Sequence, residues 1–170
     1  MKIKKTNAMR ILDQKKYAYN MYEYSKDEIE KGIDVPTQID QPAQKVFKTI
    51  VLESGNDHFV AVIPIYDHID MKKAAKALGV KRVELLHLNK LFDLTGYVRG
   101  GCSPLGMKKQ FPTVIADSAQ SMDEIIVSAG KIGQQMGLNP LHLKEVTRGS
   151  FAAITVDETH TSDSDMKSDF

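Results

Sequence analysis

Cysteine occurs once in this 170-residue chain, at Cys102, so no internal disulfide can form and a structural zinc site built on paired cysteines is excluded. The five histidines, His58, His68, His87, His142 and His160, show no metal-ligand spacing, and the sequence predicts neither a metal nor a cofactor. Net charge is equally scarce. Lys and Arg number 23 against 22 Asp and Glu, leaving +1, which excludes the uniformly basic character of a general nucleic-acid coat. Any polyanion must therefore meet a local patch. No apolar run is long enough to span a bilayer, and Met1-Lys2-Ile3-Lys4-Lys5 is not followed by the apolar stretch of a secretory signal. These absences predict a soluble, cytoplasmic protein with no membrane partner. No segment of the chain repeats.

What is present suits one compact domain. At 170 residues and 42% hydrophobic, the chain can bury a continuous core. Thr6-Asn7 can cap a helix through Asp13, with Ala8, Met9 and Leu12 on its apolar face, and the aromatic alternation from Tyr17 to Tyr24 predicts a strand. Gly32, Pro36 and Pro42 break up the stretch from Ser25 to Gln44, leaving a short helix or turn around Thr37-Gln38-Ile39. Val46 to Glu53 and Phe59 to Ile65 are β-branched runs flanking Ser54-Gly55-Asn56-Asp57, the clearest hairpin in the chain. Met71 to Leu78 reads as a helix stopped by Gly79, Arg82 to Leu86 as a short strand, and Asn89 to Leu94 as a helical turn. Strands are predicted over Thr113 to Ala116, Glu124 to Val127 and Phe151 to Val156. Asn139-Pro140 opens a last helix to Thr147. The mixture predicts an α/β fold, a single domain over residues 1–156 built on a curved, barrel-like mixed sheet surrounded by helices. From Asp157 to Phe170 the chain has almost nothing to bury and reads as a disordered polar tail.

Two segments point toward function. Lys48 interrupts the apolar run Val46-Phe47-Lys48-Thr49-Ile50-Val51, and an unpaired ammonium in low dielectric costs several kcal/mol. Either it serves a ligand, or it is an edge-strand lysine that snorkels to water and blocks aggregation. The turn Gly100-Gly101-Cys102-Ser103-Pro104-Leu105-Gly106 is too rich in glycine and proline for a core element and can present successive backbone groups to a ligand; a purely structural turn is the competing reading. It matches neither the GxxxxGK[ST] nor the GxGxxG pattern. Cys102 lies inside it, but a thiolate nucleophile needs a base or a positive surrounding, and no histidine partner is identifiable. Ser128-Ala129-Gly130-Lys131-Ile132-Gly133 is a second glycine-rich segment, read as a loop at a strand end. The basic pairs Lys72-Lys73, Lys81-Arg82 and Lys108-Lys109 are solvated faces or phosphate contacts for an RNA stem.

As a set, Thr6-Asn7-Ala8-Met9-Arg10, Phe47-Lys48-Thr49, Lys72-Lys73-Ala74-Ala75-Lys76, Gly96 through Lys109 and Ser128-Ala129-Gly130-Lys131 resemble, in order and spacing, the YbaK/EbsC family of aminoacyl-tRNA deacylases. The resemblance covers Thr6 to Val156. It implies a pocket for the 3′ end of a mischarged tRNA, Cys-tRNA(Pro) above all, with prolyl-tRNA synthetase as partner. It places the family's central lysine on Lys48, which would orient the tRNA end and its ester. Substrate-binding roles fall on Tyr24, Thr49, Gly100, Gly101, Cys102, Ser103, Pro104, Gly106, Ser128 and Gly130. It further implies that a cysteinyl ester is cleaved by the substrate's own thiol. Where relatives carry an acidic residue shortly after the second glycine segment, this chain has Gln134-Gln135.

The chemistry is consistent with those residues. An aminoacyl ester is already activated, so its cleavage needs orientation and stabilisation of charge developing on oxygen, which backbone donors and a cation supply. Two other readings predict different outcomes. A non-catalytic aminoacyl- or nucleotide-binding module would bind such an end without turnover, and a cysteine hydrolase would depend on Cys102.

Overall fold

The computed structural model describes residues 4–157; all of the expected tail except Asp157 lies outside the described residues. Among the described residues, no helix is long and apolar enough to cross a membrane. Helix α1 (Asn7–Lys15) starts where Thr6 accepts a hydrogen bond from the Met9 amide, and it buries Ala8, Met9 and Leu12 as its sequence pattern predicts. Strand β1 (Tyr19–Glu23) follows. Two short helices then fill the stretch that Gly32 and the prolines break up: α2 (Lys26–Glu30), capped by Ser25, and α3 (Val35–Gln38), capped by Asp34.

Strands β2 (Phe47–Ser54) and β3 (Asp57–Pro64) form the expected hairpin, paired from Phe47–Pro64 to Ser54–Asp57 around Gly55-Asn56. Helix α4 (Met71–Leu78) ends at Gly79 in the left-handed conformation. β4 (Glu84–Leu85), α5 (Leu88–Thr95), β5 (Thr113–Ala116), β6 (Ile125–Lys131), β7 (Gln134–Leu138), α6 (Pro140–Thr147) and β8 (Ser150–Ala152) complete the order. Helix α6 has the expected Asn139 cap with Pro140 in its first turn.

Two elements correct the sequence reading. Ser128 to Lys131 belongs to strand β6 and is no loop; the chain turns at Ile132-Gly133 and returns as β7, a strand that the sequence pattern does not announce. Its Gly137 and its Gln134-Gln135 start hide a segment that is buried from Gln135 to Leu138. A Cβ at Gly137 would collide with the Glu124 carboxylate. That carboxylate joins Lys45 at 2.8 Å and Asn20 at 2.8 Å, and the Tyr22 hydroxyl donates to it as well.

The strands form two sheets without closing into a barrel. One is ordered β1-β7-β6, all antiparallel, and the other β4-β2-β3-β5-β8, with parallel pairing from β3 to β5 and from β5 to β8. They meet at a single parallel bridge, Val46 to Ile126. Phe47, Ile50, Val62, Ile115, Val127 and Met136 belong to one apolar core shared by both sheets.

Candidate active site

The bridge between the sheets creates the site. Because β2 and β6 pair only at Val46 and Ile126, they part immediately afterward, and a cleft of about 70 Å3 opens between them. Phe47, Lys48 and Thr49 of β2 line it with Ile65, with Ser128 of β6, with Gln135 of β7, and with Gly100 and Cys102 of the glycine loop. Lys48, Thr49, Gly100, Cys102 and Ser128 are thus brought together from three distant stretches of chain. β4 pairs only with Leu52 and Glu53, so it does not reach the edge of β2 at Lys48. The half-buried Lys48 side chain therefore sits beside the cleft rather than under a neighbouring strand. Thr49 is 4% exposed, and its hydroxyl oxygen is buried without a hydrogen-bond partner among the described residues. A buried polar group in that condition costs about 1–3 kcal/mol unless a ligand or solvent molecule satisfies it.

The remaining expected residues build the walls. Tyr24 donates its hydroxyl hydrogen to the Gly100 carbonyl at 3.1 Å, and its amide donates to the Gly133 carbonyl at 2.9 Å, so it ties the glycine loop to the β6–β7 turn. Gly101 packs directly on that turn: a Cβ there would lie 3.0 Å from the Ile132 amide nitrogen. Its own amide closes a tight turn to the Val98 carbonyl at 2.9 Å, with Gly100 at φ +85° as that turn requires. Ser103, Pro104, Gly106 and Gly130 do not line the cleft. Ser103 is wholly buried and accepts from the Leu105 amide at 3.3 Å, Gly106 abuts the start of α1, and Gly130 abuts the Tyr97 ring.

Tyr97 and Gln135 lie in segments that the sequence singles out, but it assigns neither of them a role. Tyr97 is the post around which both glycine segments wrap, donating its hydroxyl hydrogen to the Leu105 carbonyl at 2.6 Å while its ring presses on Gly130. An aromatic residue directly after the helix-stopping Gly96 was its only signal in the sequence. Gln135 lies opposite Ser128 in the β6–β7 register and is 6% exposed. The sequence marks Gln134-Gln135 only as a departure from the family pattern, and its place in the cleft depends on β7, which the sequence does not announce.

Cys102 lies in the cleft but is a poor nucleophile. Burial pushes its thiol up to about 12, and it packs with Val51, Leu86, Leu91 and Tyr97. No histidine or carboxylate is among the residues lining the cleft. At neutral pH the group stays a thiol, and only the thiolate attacks. Cys102→Ala is therefore expected to keep turnover within about threefold of the unaltered protein, since this side chain supplies packing and no bond. A pH–rate profile should likewise show no inflection that disappears in the variant; loss of turnover in Cys102→Ala would identify a cysteine hydrolase.

The same burial has a consequence for stability. Burial, reinforced by the neighbouring Cys102, also pushes Tyr97 up to about 12. Both groups hold their protons more firmly when folded, so the unfolded chain ionises first as pH rises. Their stabilisation is complete below pH 9 and is lost between there and about pH 12. Each contributes a slope of up to about 1.4 kcal/mol per pH unit in that window. Thermal melts should show the midpoint falling above pH 9, and Cys102→Ala should flatten that fall; an unchanged slope would place the thiol in contact with solvent.

Larger hollows lie elsewhere, of about 380 Å3 around Pro64, Tyr66 and Met122 and about 250 Å3 around Gly55 and Arg82. Size does not select the site, because Arg82 in the second is already paired with Glu84 at 2.8 Å. Among the described residues, the small cleft alone combines a lysine with the glycine-loop backbone and a buried hydroxyl that has no partner there.

Comparison with known proteins identifies the family. The family model described as the aminoacyl-tRNA editing domain matches residues 28–146. A candidate Cys-tRNA(Pro)/Cys-tRNA(Cys) deacylase, EbsC, of Enterococcus faecalis is 47% identical over 156 residues, covering 91% of this chain and 95% of that protein. Among solved structures, a hypothetical protein, APE2540, matches with a TM-score of 0.77 at 17% identity, over 89% of this chain and 100% of that one. A candidate trans-editing enzyme for prolyl-tRNA synthetase matches with a TM-score of 0.75 at 15% identity, over 91% of this chain and 100% of that one. These two structural likenesses concern the fold.

Proposed function

The chain belongs to the aminoacyl-tRNA editing-domain family, and we propose that it is a free-standing deacylase that cleaves the ester of mischarged tRNA, with Cys-tRNA(Pro) as its principal substrate. The observation that carries this reading is the convergence of Lys48, Thr49, Ser128, Gly100 and Cys102 on a cleft lined by no histidine and no carboxylate. Such a site is suited to hold an ester that is already reactive. It has nothing with which to activate a protein nucleophile.

In the proposed reaction, Lys48 lies against the ester and offsets negative charge developing on its oxygens, while Thr49, Ser128 and the glycine backbone hold the aminoacyl group. The substrate's sulfur attacks its own carbonyl carbon, a carbon–sulfur bond forms, and the bond to the ribose oxygen breaks. The thiol proton passes to that oxygen as the tRNA leaves, and the cyclic thioester is hydrolysed afterward by water. A cleft of about 70 Å3 suits a small side chain and not a bulky one. Editing of this kind is needed because a synthetase pocket discriminates weakly among amino acids of similar size. The proposed partner is prolyl-tRNA synthetase, and the proposed place of action is the cytoplasm.

The test is a deacylation panel of Cys-, Ser- and Ala-tRNA(Pro), with and without prolyl-tRNA synthetase. Cysteinyl ester should disappear fastest, with the seryl and alanyl esters at least about tenfold slower because they lack the attacking sulfur. No ester cleaved faster than in buffer would leave a binding module; equal rates for all three would remove the substrate thiol from the mechanism.

A further inference from the structure

We propose that helix α5 and the turn leading into the glycine loop form an RNA-binding platform, with Phe92 as a stacking surface and Lys90, Arg99, Lys108 and Lys109 as phosphate contacts. This rests on the deacylase reading for the identity of the RNA, the single-stranded acceptor end of a tRNA. Three observations carry it.

The first is size. A cleft of about 70 Å3 admits a small acyl group and no nucleotide, since drug-sized and cofactor ligands occupy roughly 300–1,000 Å3. The nucleotides that carry the acyl group must lie on the surface outside.

The second is charge. Between His87 and Gln110 the chain carries Lys90, Arg99, Lys108 and Lys109 against the single acid Asp93, in a protein whose overall net charge is only +1. All four cations are exposed. This is the local patch that a near-neutral protein needs in order to hold a phosphate backbone. It adjoins the cleft, because Arg99 precedes Gly100 in the same tight turn.

The third is the apolar surface among those charges. Leu88 and Phe92 stand one helical turn apart on α5 and are 44% and 56% exposed, and Val98 just beyond the helix is 47% exposed. The Lys108 ammonium lies 5.5 Å from the centre of the Phe92 ring, and it donates to the Asp93 carbonyl at 3.2 Å. An aromatic ring with an ammonium beside it, on a basic stretch of chain, is the combination by which proteins hold single strands, the ring stacking a base while cations follow the backbone.

The test compares Phe92→Ala and Lys109→Glu with the unaltered protein. None of the residues in the cleft is altered, and Lys109 is exposed, so Lys109→Glu keeps the question open should Phe92→Ala fold poorly. Binding of fluorescently labelled uncharged tRNA, measured by anisotropy across a salt series, should weaken about tenfold in each variant, and Lys109→Glu should reduce the salt slope by about one. In turnover, KM for Cys-tRNA(Pro) should rise with kcat unchanged, while cleavage of a cysteinyl ester of adenosine should proceed at the unaltered rate. Unchanged tRNA affinity and salt slope would overturn the proposal. So would an effect seen only when prolyl-tRNA synthetase is added, which would make this face a protein-docking surface. Because the anisotropy measurement needs no turnover, weakened binding by a protein that cleaves no ester would sink the deacylase reading and leave the platform standing.

Discussion

Lys48→Ala is expected to lower kcat/KM for Cys-tRNA(Pro) by roughly 10²–10³-fold, the usual loss when one preorganised donor to a developing oxyanion is removed, about 2.7–4 kcal/mol of transition-state stabilisation. The effect should be large because the cleft supplies no second cation and no acid among its lining residues. It should also be confined to activity. The backbone of Lys48 keeps its place opposite Ile63 in the β2–β3 ladder whatever the side chain, and the core beside it is made by Phe47 and Ile50. The melting midpoint should therefore move by no more than a few degrees. Lys48→Arg is the informative companion. It keeps the charge but replaces a compact ammonium by a planar fork that a cleft of about 70 Å3 accommodates poorly, so it should recover only part of the rate. Turnover within threefold of normal in Lys48→Ala would remove this side chain from the chemistry and leave it as a lysine that merely guards a strand edge.

The legible parts of this molecule are those whose structure is set locally. The α1 cap at Thr6, the hairpin around Gly55-Asn56, the stop at Gly79 and the Asn139-Pro140 start of α6 each rest on a side-chain or backbone preference that acts within one turn. Lys48 and the glycine loop stood out for a related reason: a charge inside a β-branched run, and glycines clustered around a proline, violate local expectation and so mark themselves. β7 did not, because its one glycine, Gly137, answers to a distant neighbour, the carboxylate of Glu124. With β7 unseen, neither the second sheet nor Gln135 could be placed. Tyr97 received no role, since its task is to hold together two segments distant along the chain, at Leu105 and at Gly130. The cleft itself is a tertiary fact. It depends on the single Val46–Ile126 bridge, which no property of either segment announces.

Gly106→Ala is expected to be strongly destabilising. Gly106 has φ +81°, where an alanine is strained by roughly 1–2 kcal/mol. In addition, its Cβ would lie 2.6 Å from the Tyr97 hydroxyl oxygen and 2.9 Å from both the Ala8 amide nitrogen and the Asn7 Cβ. Two of these neighbours belong to the capped start of α1, and the third is held to the Leu105 carbonyl at 2.6 Å, so relief requires a helix to shift or a buried hydrogen bond to break. Overpacking of this kind costs about 1–3 kcal/mol, and an orphaned buried carbonyl a similar amount. The midpoint should fall by about 10 °C or more for a chain of this size. Activity should fall as well, because Thr6 donates to the Ala129 carbonyl at 2.5 Å and so couples the start of α1 to the residue beside Ser128. Gly79→Ala separates strain from collision: it has φ +74° but nothing within 4 Å of an added Cβ, so it should cost only about 1 kcal/mol and leave turnover unchanged. Equal melting shifts for the two variants would mean that backbone strain alone sets the price and that the contact between the glycine loop and α1 is soft.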